Sequence, residues 1–529
     1  MFTCFSKYLK RDQCTVKWEP FSRYDKSDFQ QMMNVYGSHS TDPQQPFKIG
    51  VVGGGIAGST IALRLAELGV EVELFEAGAS LVNGPPICHL HAGGNLYREI
   101  SEQQCLTLLH ESIDTLRIFP HAANIRPTVI AVPQRDPGDP EALLPRLQRL
   151  QQTYLALVVD DPANEVLGDP QQYYKLYSRE ALEQLALAPL PTTPASLDDW
   201  MIPVAKNLEF DSFKFPLVLV QEYGLSVFRL AATAVLAAEQ LPSCRVHTQA
   251  QVVDIEQDQK TQRWSVAFQQ YDPQSEDHRT HTTEVDYLIN ACGFRTGILD
   301  DMAQLPRDRM VEFKAAYITH WADCTGVWPE VIFHGERGTP NGMAQLTPYP
   351  EGYFQLHGMT PDITLFKDGL ARNSHSSAQP MLEARFNRKL REGWQPDEIH
   401  TRTTRAIQHM TQFVPAYHTA TVGGNPLFGA QQIPGDDPSL RAADLSFAGQ
   451  RYARAEIVKA SSALSAANQV VKQLIEEQLL PALVGLDLPL EQQLPMMTGL
   501  DPAEVIRKAE QLAEERNFPT AMARLYQAP

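Results

Sequence analysis

At 529 residues, with 43% hydrophobic and 20% charged side chains, the chain has the composition of a globular protein of two or three domains. A formal net charge of −18 argues against binding a nucleic-acid backbone, and no apolar run reaches the roughly 18 residues of a spanning helix. The cysteines at 4, 14, 88, 105, 244, 292 and 324 are odd in number and never spaced C-x-x-C. With no apolar signal core among the first residues, that pattern points to reduced thiols in a cytoplasmic protein, without disulfides or a zinc site.

Residues 1–46 read as a polar extension. From Phe47 the chain changes character. Ile49–Val52 is an apolar strand, followed by Gly53, Gly55 and Gly58 in G-x-G-x-x-G spacing. A helix with Ile61, Leu65 and Leu68 on one face ends at Gly69, and a second strand, Val70–Phe75, runs into Glu76. This is the pattern of a dinucleotide site. Gly53 permits the turn, Gly55 lets backbone approach a pyrophosphate, and Gly58 lets helix pack on strand. The helix N-terminus offers N–H groups to the phosphates, and Glu76 can accept both hydroxyls of a ribose.

The next loop turns at Asn83-Gly84-Pro85-Pro86 and carries His89, His91, Gly93-Gly94, Tyr97 and Arg98. A helix is expected over 102–118, a strand over 126–133, and a helix over 140–158 that Pro145 delays or kinks. Residues 160–211, rich in Pro, Asp and Gln, give only short helical pieces. A strand over 215–221 precedes an almost wholly apolar helix over 225–240, which should be buried. Residues 245–248, 252–256 and 264–268 read as a small antiparallel sheet. A buried strand then ends in Asn290-Ala291-Cys292-Gly293, and further strands fill 311–360. Residues 444–471 read as a strand ending at Gly449, a turn with Arg451 and Arg454, and a helix rich in small residues. Beyond 475 the tail is helical, with Asp501 as an N-cap.

These three stretches together resemble the FAD-dependent oxidoreductases of the D-amino-acid oxidase type. That group includes glycine and sarcosine oxidases and the dimethylglycine, 2-hydroxyglutarate and glycerol-3-phosphate dehydrogenases. The resemblance runs over roughly residues 47–475. It implies an α/β fold in which a doubly wound, Rossmann-like FAD-binding domain (47–100, 225–300 and 436–475) meets a mixed-sheet substrate domain (101–224 and 301–435). The extension 1–46 and a helical tail, 476–529, flank them. Cofactor contacts are expected at Gly53, Gly55, Ile56, Ala57, Gly58, Glu76, Val252, Ala291, Gly293 and Gly449. His91-Ala92-Gly93-Gly94 resembles the run beside the flavin ring in several of these dehydrogenases, where in some members the histidine bonds covalently to the flavin. Aromatic-ring hydroxylases share the first motif but carry acids where this chain has Cys292 and Gln450, which makes a monooxygenase the lesser alternative. A flavin-binding assembly or sensor protein without turnover is the other.

The implied chemistry is oxidation of a small amino or hydroxy acid by hydride transfer to FAD, with oxygen or a quinone as acceptor. A substrate carboxylate calls for an arginine fork, and Arg451, Arg454 and Arg98 are the candidates, with Arg295 behind them. His91 is the first choice for proton acceptor, ahead of His89 and His357. Tyr97, Tyr353 and Gln345 are candidate pocket residues, and no metal constellation is visible. Val470, Leu474, Ile475 and Leu479 form an apolar stripe that either packs onto the core, the favoured reading, or makes peripheral membrane contact on the way to a quinone.

Overall fold

The computed structural model describes residues 46–84, 90, 100–272, 274–438, 440, 445–481 and 488–525. Its first sheet has six strands in the order 445–447, 452–455, 287–290, 48–52, 71–75 and 244–247. The five from 452–455 onward are parallel, and only 445–447 runs antiparallel, at the edge. Strands 48–52 and 287–290 are neighbours although far apart in sequence, so the winding reverses between them. In an open α/β sheet, the carboxyl ends of the strands at such a reversal form a crevice that binds ligand.

The sequence places Lys48–Val52 in this interior because Ile49 to Val52 are apolar or small, as a strand covered on both faces requires. Helix Ile56–Glu67 buries ten consecutive residues, Ala57 to Ala66, beneath helix Ala463–Glu476 and helix Val227–Glu239. Small side chains at Ala463, Ala466 and Ala467 let the first pair approach closely. Val470 and Leu474 are fully buried, with Ile475 and Leu479 packed against the same core. That apolar stripe is core. No helix among the described residues is long and apolar enough to cross a membrane.

The connection from 244–247 to 287–290 passes through an antiparallel three-stranded sheet, 250–257, 264–272 and 277–285. This differs from the sequence expectation in two ways. Residues 244–247 belong to the parallel sheet, and the third strand is 277–285, a stretch with no apolar alternation because its residues from Asp277 to Thr282 are exposed on an edge.

The second sheet has ten strands and mixed direction, built around the long strand Arg309–His320. Next to it lie, in order, 353–358, 344–348, 330–333, 128–133, 213–220 and 174–177. Strands 370–372, 421–422 and 427–434 also pair with Arg309–His320. Its outer face is apolar: Val129, Ala131, Leu217, Leu219, Val331, Phe333, Leu346, Phe354 and Leu356 pack with Trp200, Trp328, Phe413 and Tyr417. The inner face, marked by Ile130, Val218, Val220, Ala316 and Ile318, joins the core of the first sheet.

Candidate functional site

The glycine turn connects strand 48–52 to helix Ile56–Glu67 at the carboxyl end of the parallel sheet. Gly53 has φ +101°, and a Cβ there would stand 2.3 Å from the carbonyl oxygen of Ala291. A Cβ on Gly58 would stand 1.8 Å from the carbonyl oxygen of Gly53. These two glycines are required by packing. Gly55 is different: among the described residues nothing lies within 4 Å of where its Cβ would stand, and as N-cap it contributes no side-chain cap to the helix. Ile56 and Ala57 follow in the first turn, which carries no acidic residue. The helix therefore presents its positive end to open space, and the turn fits an anionic pyrophosphate.

Glu76 closes the other side. Its Oε2 accepts the Gly54 amide at 2.7 Å and its Oε1 the Gly78 amide at 2.5 Å. The loop beyond it is braced by the C-terminal tail. The half-buried Arg516 donates to Ser80 Oγ at 2.8 Å and to the carbonyls of Leu81 and Val82 at 2.9 and 3.0 Å. Nothing in the sequence around Arg516 signals this contact, because it joins residues more than four hundred positions apart.

Across the reversal point, the Ala291 amide donates to the carbonyl of Val52 at 2.8 Å. Asn290, wholly buried, donates through Nδ2 to the Thr296 carbonyl and to Tyr452 Oη, both at 2.8 Å. Gly293 takes φ +58°, with nothing among the described residues within 4 Å of where a Cβ would stand. Cys292 has its thiol pushed up to about 12 by burial, with the charges of Glu76 and Asp300 adding to the effect. Val252 is half-buried against Phe75 and Phe268 in the small cluster beside this end of the sheet.

The arginines fall elsewhere. Strand 452–455 begins opposite Leu288, so the hairpin turn with Gly449 (φ +60°) and Arg451 (φ +54°) sits at the amino-terminal edge of the parallel sheet, away from the crevice. Arg454 lies inside the strand and is committed: its Nε donates to Asp300 Oδ1 at 2.7 Å. Arg309 donates to Asp300 Oδ2 at 2.5 Å and to Glu456 Oε1 at 3.3 Å, and Tyr452 Oη donates to Asp300 Oδ1 at 2.8 Å. Asp300, Arg309, Arg454 and Glu456 form one buried ionic cluster tying the two sheets together. A charge held this way cannot turn to a substrate without leaving its partner unpaired in the interior. Arg295 lies in the short turn Gly293–Arg295 over the ring of Phe294. His91 and Arg98, with His89 and Tyr97, lie outside the described residues. Leu90, between His89 and His91, donates its amide to the Tyr223 carbonyl at 2.9 Å, and Ile100, two residues after Arg98, accepts from Arg146 at 2.9 Å.

The inner face of the second sheet supplies a polar wall. Paired residues share a face, so the register puts Thr347 with Gln355, Gln345 with His357, Ile332 with Gln345, and Glu330 with Thr128. Glu312 and Lys314 continue it on the long strand, opposite Gln431 and Gly429. Lys314 Nζ lies 2.8 Å from Glu312 and donates to Gln431 Oε1 at 2.6 Å, while Arg337 holds the other Glu312 oxygen. Tyr353 begins the His357 strand and packs its ring on His320 at 4.8 Å. The His357 imidazole is held down to about 4, first by burial and then by the positive charges of Lys314 and Lys459.

Hydrogen bonds join the second sheet to the first. Gln431 Nε2 donates to the Val458 carbonyl at 3.3 Å, and Gln432 Nε2 to those of Ala455 and Ile457 at 3.1 and 3.3 Å, where strand 452–455 leaves the first sheet. Thr296 Oγ1 links the Gly293 carbonyl, at 2.6 Å, to Gln432 Oε1, at 3.1 Å.

A family model described as an NAD(P)-binding Rossmann-like domain matches residues 51–82. Comparison with curated proteins gives no match. Among solved structures the chain is similar to a glycerol-3-phosphate dehydrogenase from Bacillus halodurans complexed with FAD, with TM-score 0.51 and 14% identity over 94% of this chain and 84% of that one. It is also similar to NikD, described as an unusual amino acid oxidase essential for nikkomycin biosynthesis, with TM-score 0.52 and 13% identity over 82% and 94% of the two chains. A third is the L-amino acid deaminase from Proteus myxofaciens, with TM-score 0.50 and 16% identity over 83% and 92%. At these identities the likeness is one of fold: a doubly wound nucleotide-binding sheet facing a mixed sheet.

Proposed function

We propose that this chain is an FAD-dependent oxidoreductase that oxidises a small amino or hydroxy acid. One observation carries the reading. The uncapped helix end at Gly55 and the carboxylate of Glu76 stand at the carboxyl end of the first sheet, and the second sheet, hydrogen-bonded to it through Gln431, carries a largely buried wall of polar side chains. A buried sheet face is ordinarily apolar, so Gln345, Thr347, Gln355, His357 and Lys314 on this one mark a surface built to meet something polar. The similar solved structures, named for FAD and for amino or hydroxy compounds, support the same reading.

When bound, FAD supplies the hydride acceptor. The chain's residues do the rest. Gly55, Ile56 and Ala57 hold the pyrophosphate at the helix end, and Glu76 holds the ribose. Ala291 and Gly293 line the reversal point. His357 stays neutral beside two ammonium groups and can hydrogen-bond the substrate N–H or O–H, and His91 is the candidate that accepts its proton. Lys314, held by Glu312 and Gln431, adds positive charge beside His357. The acceptor for the electrons is oxygen or a quinone.

The test is direct. The purified protein should be yellow, and anaerobic addition of one member of a panel of amino and hydroxy acids should bleach it. Re-oxidation by air with peroxide release identifies an oxidase, and re-oxidation only by a quinone analogue a dehydrogenase. A colourless protein that takes up no flavin overturns the reading. A yellow protein that no member of the panel bleaches points instead to flavin binding without turnover.

A further inference from the structure

The wall contains more donors than the fold uses. Arg126 and Glu330 form an ion pair whose side chains are both 0% exposed, with Nη2 donating to Oε2 at 2.9 Å. The other Glu330 oxygen accepts from Gln345 Nε2 at 2.6 Å. Among the described residues, that leaves Nε and Nη1 of Arg126 buried without a hydrogen-bond partner. Gln355, also 0% exposed, accepts from Tyr349 Oη at 3.1 Å, and its Nε2 is likewise without a partner. Buried donors, above all those of a charged group, are almost always satisfied in a native protein.

The position of these donors is informative. Both belong to the inner face, since Arg126 is fixed there by Glu330 and Gln355 by its pairing with Thr347. Gly224 makes room for the guanidinium: a Cβ there would fall 1.9 Å from Nη1. A cleft of ≈ 330 Å³ lined by Arg126, Gln221, Tyr223, Ser196 and Trp200 opens beside it. Burial pushes the Glu330 carboxyl up, against the charge of Arg126 and the Gln345 hydrogen bond. Strand 330–333 lies two places from the His357 strand, about 9–10 Å along the wall.

We propose that Arg126 and Gln355 hold a second acidic group of the substrate, so that the acid oxidised here is a dicarboxylate with one carboxylate remote from the carbon that loses hydride. This rests on the oxidoreductase reading and extends it. Arg126 offers the remote carboxylate the N–H groups that Glu330 leaves free, Gln355 offers a further one from the same face, and the reacting end lies towards His357 and Lys314. Short monocarboxylates cannot reach both ends of the wall.

The test uses the full-length flavin-loaded protein and non-oxidisable probes: glutarate and adipate against acetate and propionate, with binding read from the visible flavin spectrum and by calorimetry. The dicarboxylates should bind at least about tenfold more tightly. Arg126→Gln should remove that preference. Gly224→Ala, which displaces the guanidinium and keeps its charge, and Gln355→Leu should each weaken dicarboxylate binding in a protein of normal flavin content. These two keep the idea testable if Arg126→Gln does not fold. A yellow protein with no preference for dicarboxylates, or one whose preference survives the substitutions, overturns this inference alone and assigns the spare donors to buried water. A protein that binds no flavin overturns it together with the reading beneath it.

Discussion

The carboxylate of Glu76 accepts the backbone amide of Gly54 at 2.7 Å. That bond ties the end of the second parallel strand to the middle of the glycine turn, so acid and turn move as one body at the mouth of the crevice. Among the turn's glycines, a side chain on Gly53 or Gly58 collides with backbone, whereas one on Gly55 would enter the space offered to ligand.

The contrast between Gly55 and Gly58 should appear in two substitutions. Gly55→Val is expected to fold with nearly unchanged thermal stability and to lose flavin, because its side chain occupies only the phosphate space. Gly58→Val must displace the Gly53 carbonyl and should cost on the order of 3 kcal/mol or more, or fail to fold. Flavin absorbance and melting temperature measured on both proteins check this. A yellow Gly55→Val protein would contradict the role given to that residue.

Arg454 belongs to the buried cluster around Asp300, so its loss should show in stability and not in substrate affinity. Asp300→Asn leaves Arg309 and Arg454 short of a counter-charge and should destabilise by about 3–5 kcal/mol. Arg454→Met should lower the denaturation midpoint while leaving the substrate concentration for half-maximal flavin bleaching within about twofold, a change worth less than about 1 kcal/mol. A selective rise in that concentration without loss of stability would return Arg454 to the substrate site.

Glu73 makes acid sensitivity predictable. Burial works to raise its carboxyl, but His247, 3.5 Å away, and the bond and charge of Lys48, at 2.9 Å, outweigh it and hold the group at about 2. A carboxylate depressed on folding contributes stability above its unfolded value of 4.5, and that contribution is lost as pH falls from there through about 2. It amounts to at most about 3 kcal/mol. Glu73→Gln should therefore be less stable than the parent at neutral pH and converge with it near pH 2. Urea midpoints taken across that range would refute the assignment if the gap stayed constant.

His357 is held down to about 4, so it remains neutral throughout the mildly acidic range. Anaerobic flavin reduction should show no fall between about pH 8 and pH 5.5 that depends on this residue. His357→Ala should slow reduction by about a hundredfold or more at unchanged flavin content. Unchanged rates would remove the histidine from the reacting end of the wall.

Local pattern determined much of this protein. The run from Lys48 to Glu76 specifies strand, turn, helix, strand and acid because each depends on neighbours within a turn or two: glycine spacing, helical periodicity, an acid at a strand end. The same holds for the buried strand closing at Asn290 and for the alternation of the second sheet. What residues within a few positions of one another cannot encode is which end of a strand faces the crevice and which partner a charge finds. Only the fold put the Gly449 and Arg451 turn at the amino-terminal edge and gave Arg454 to Asp300. Only the fold gathered Lys314, Gln345, Gln355, His357 and the Arg126–Glu330 pair onto one face, because strand register decides that and register is set by contacts between residues far apart in the chain. Arg516, gripping the loop behind Glu76 from the far end of the sequence, shows the same limit: the energy of such a bond exists only once the chain has closed on itself.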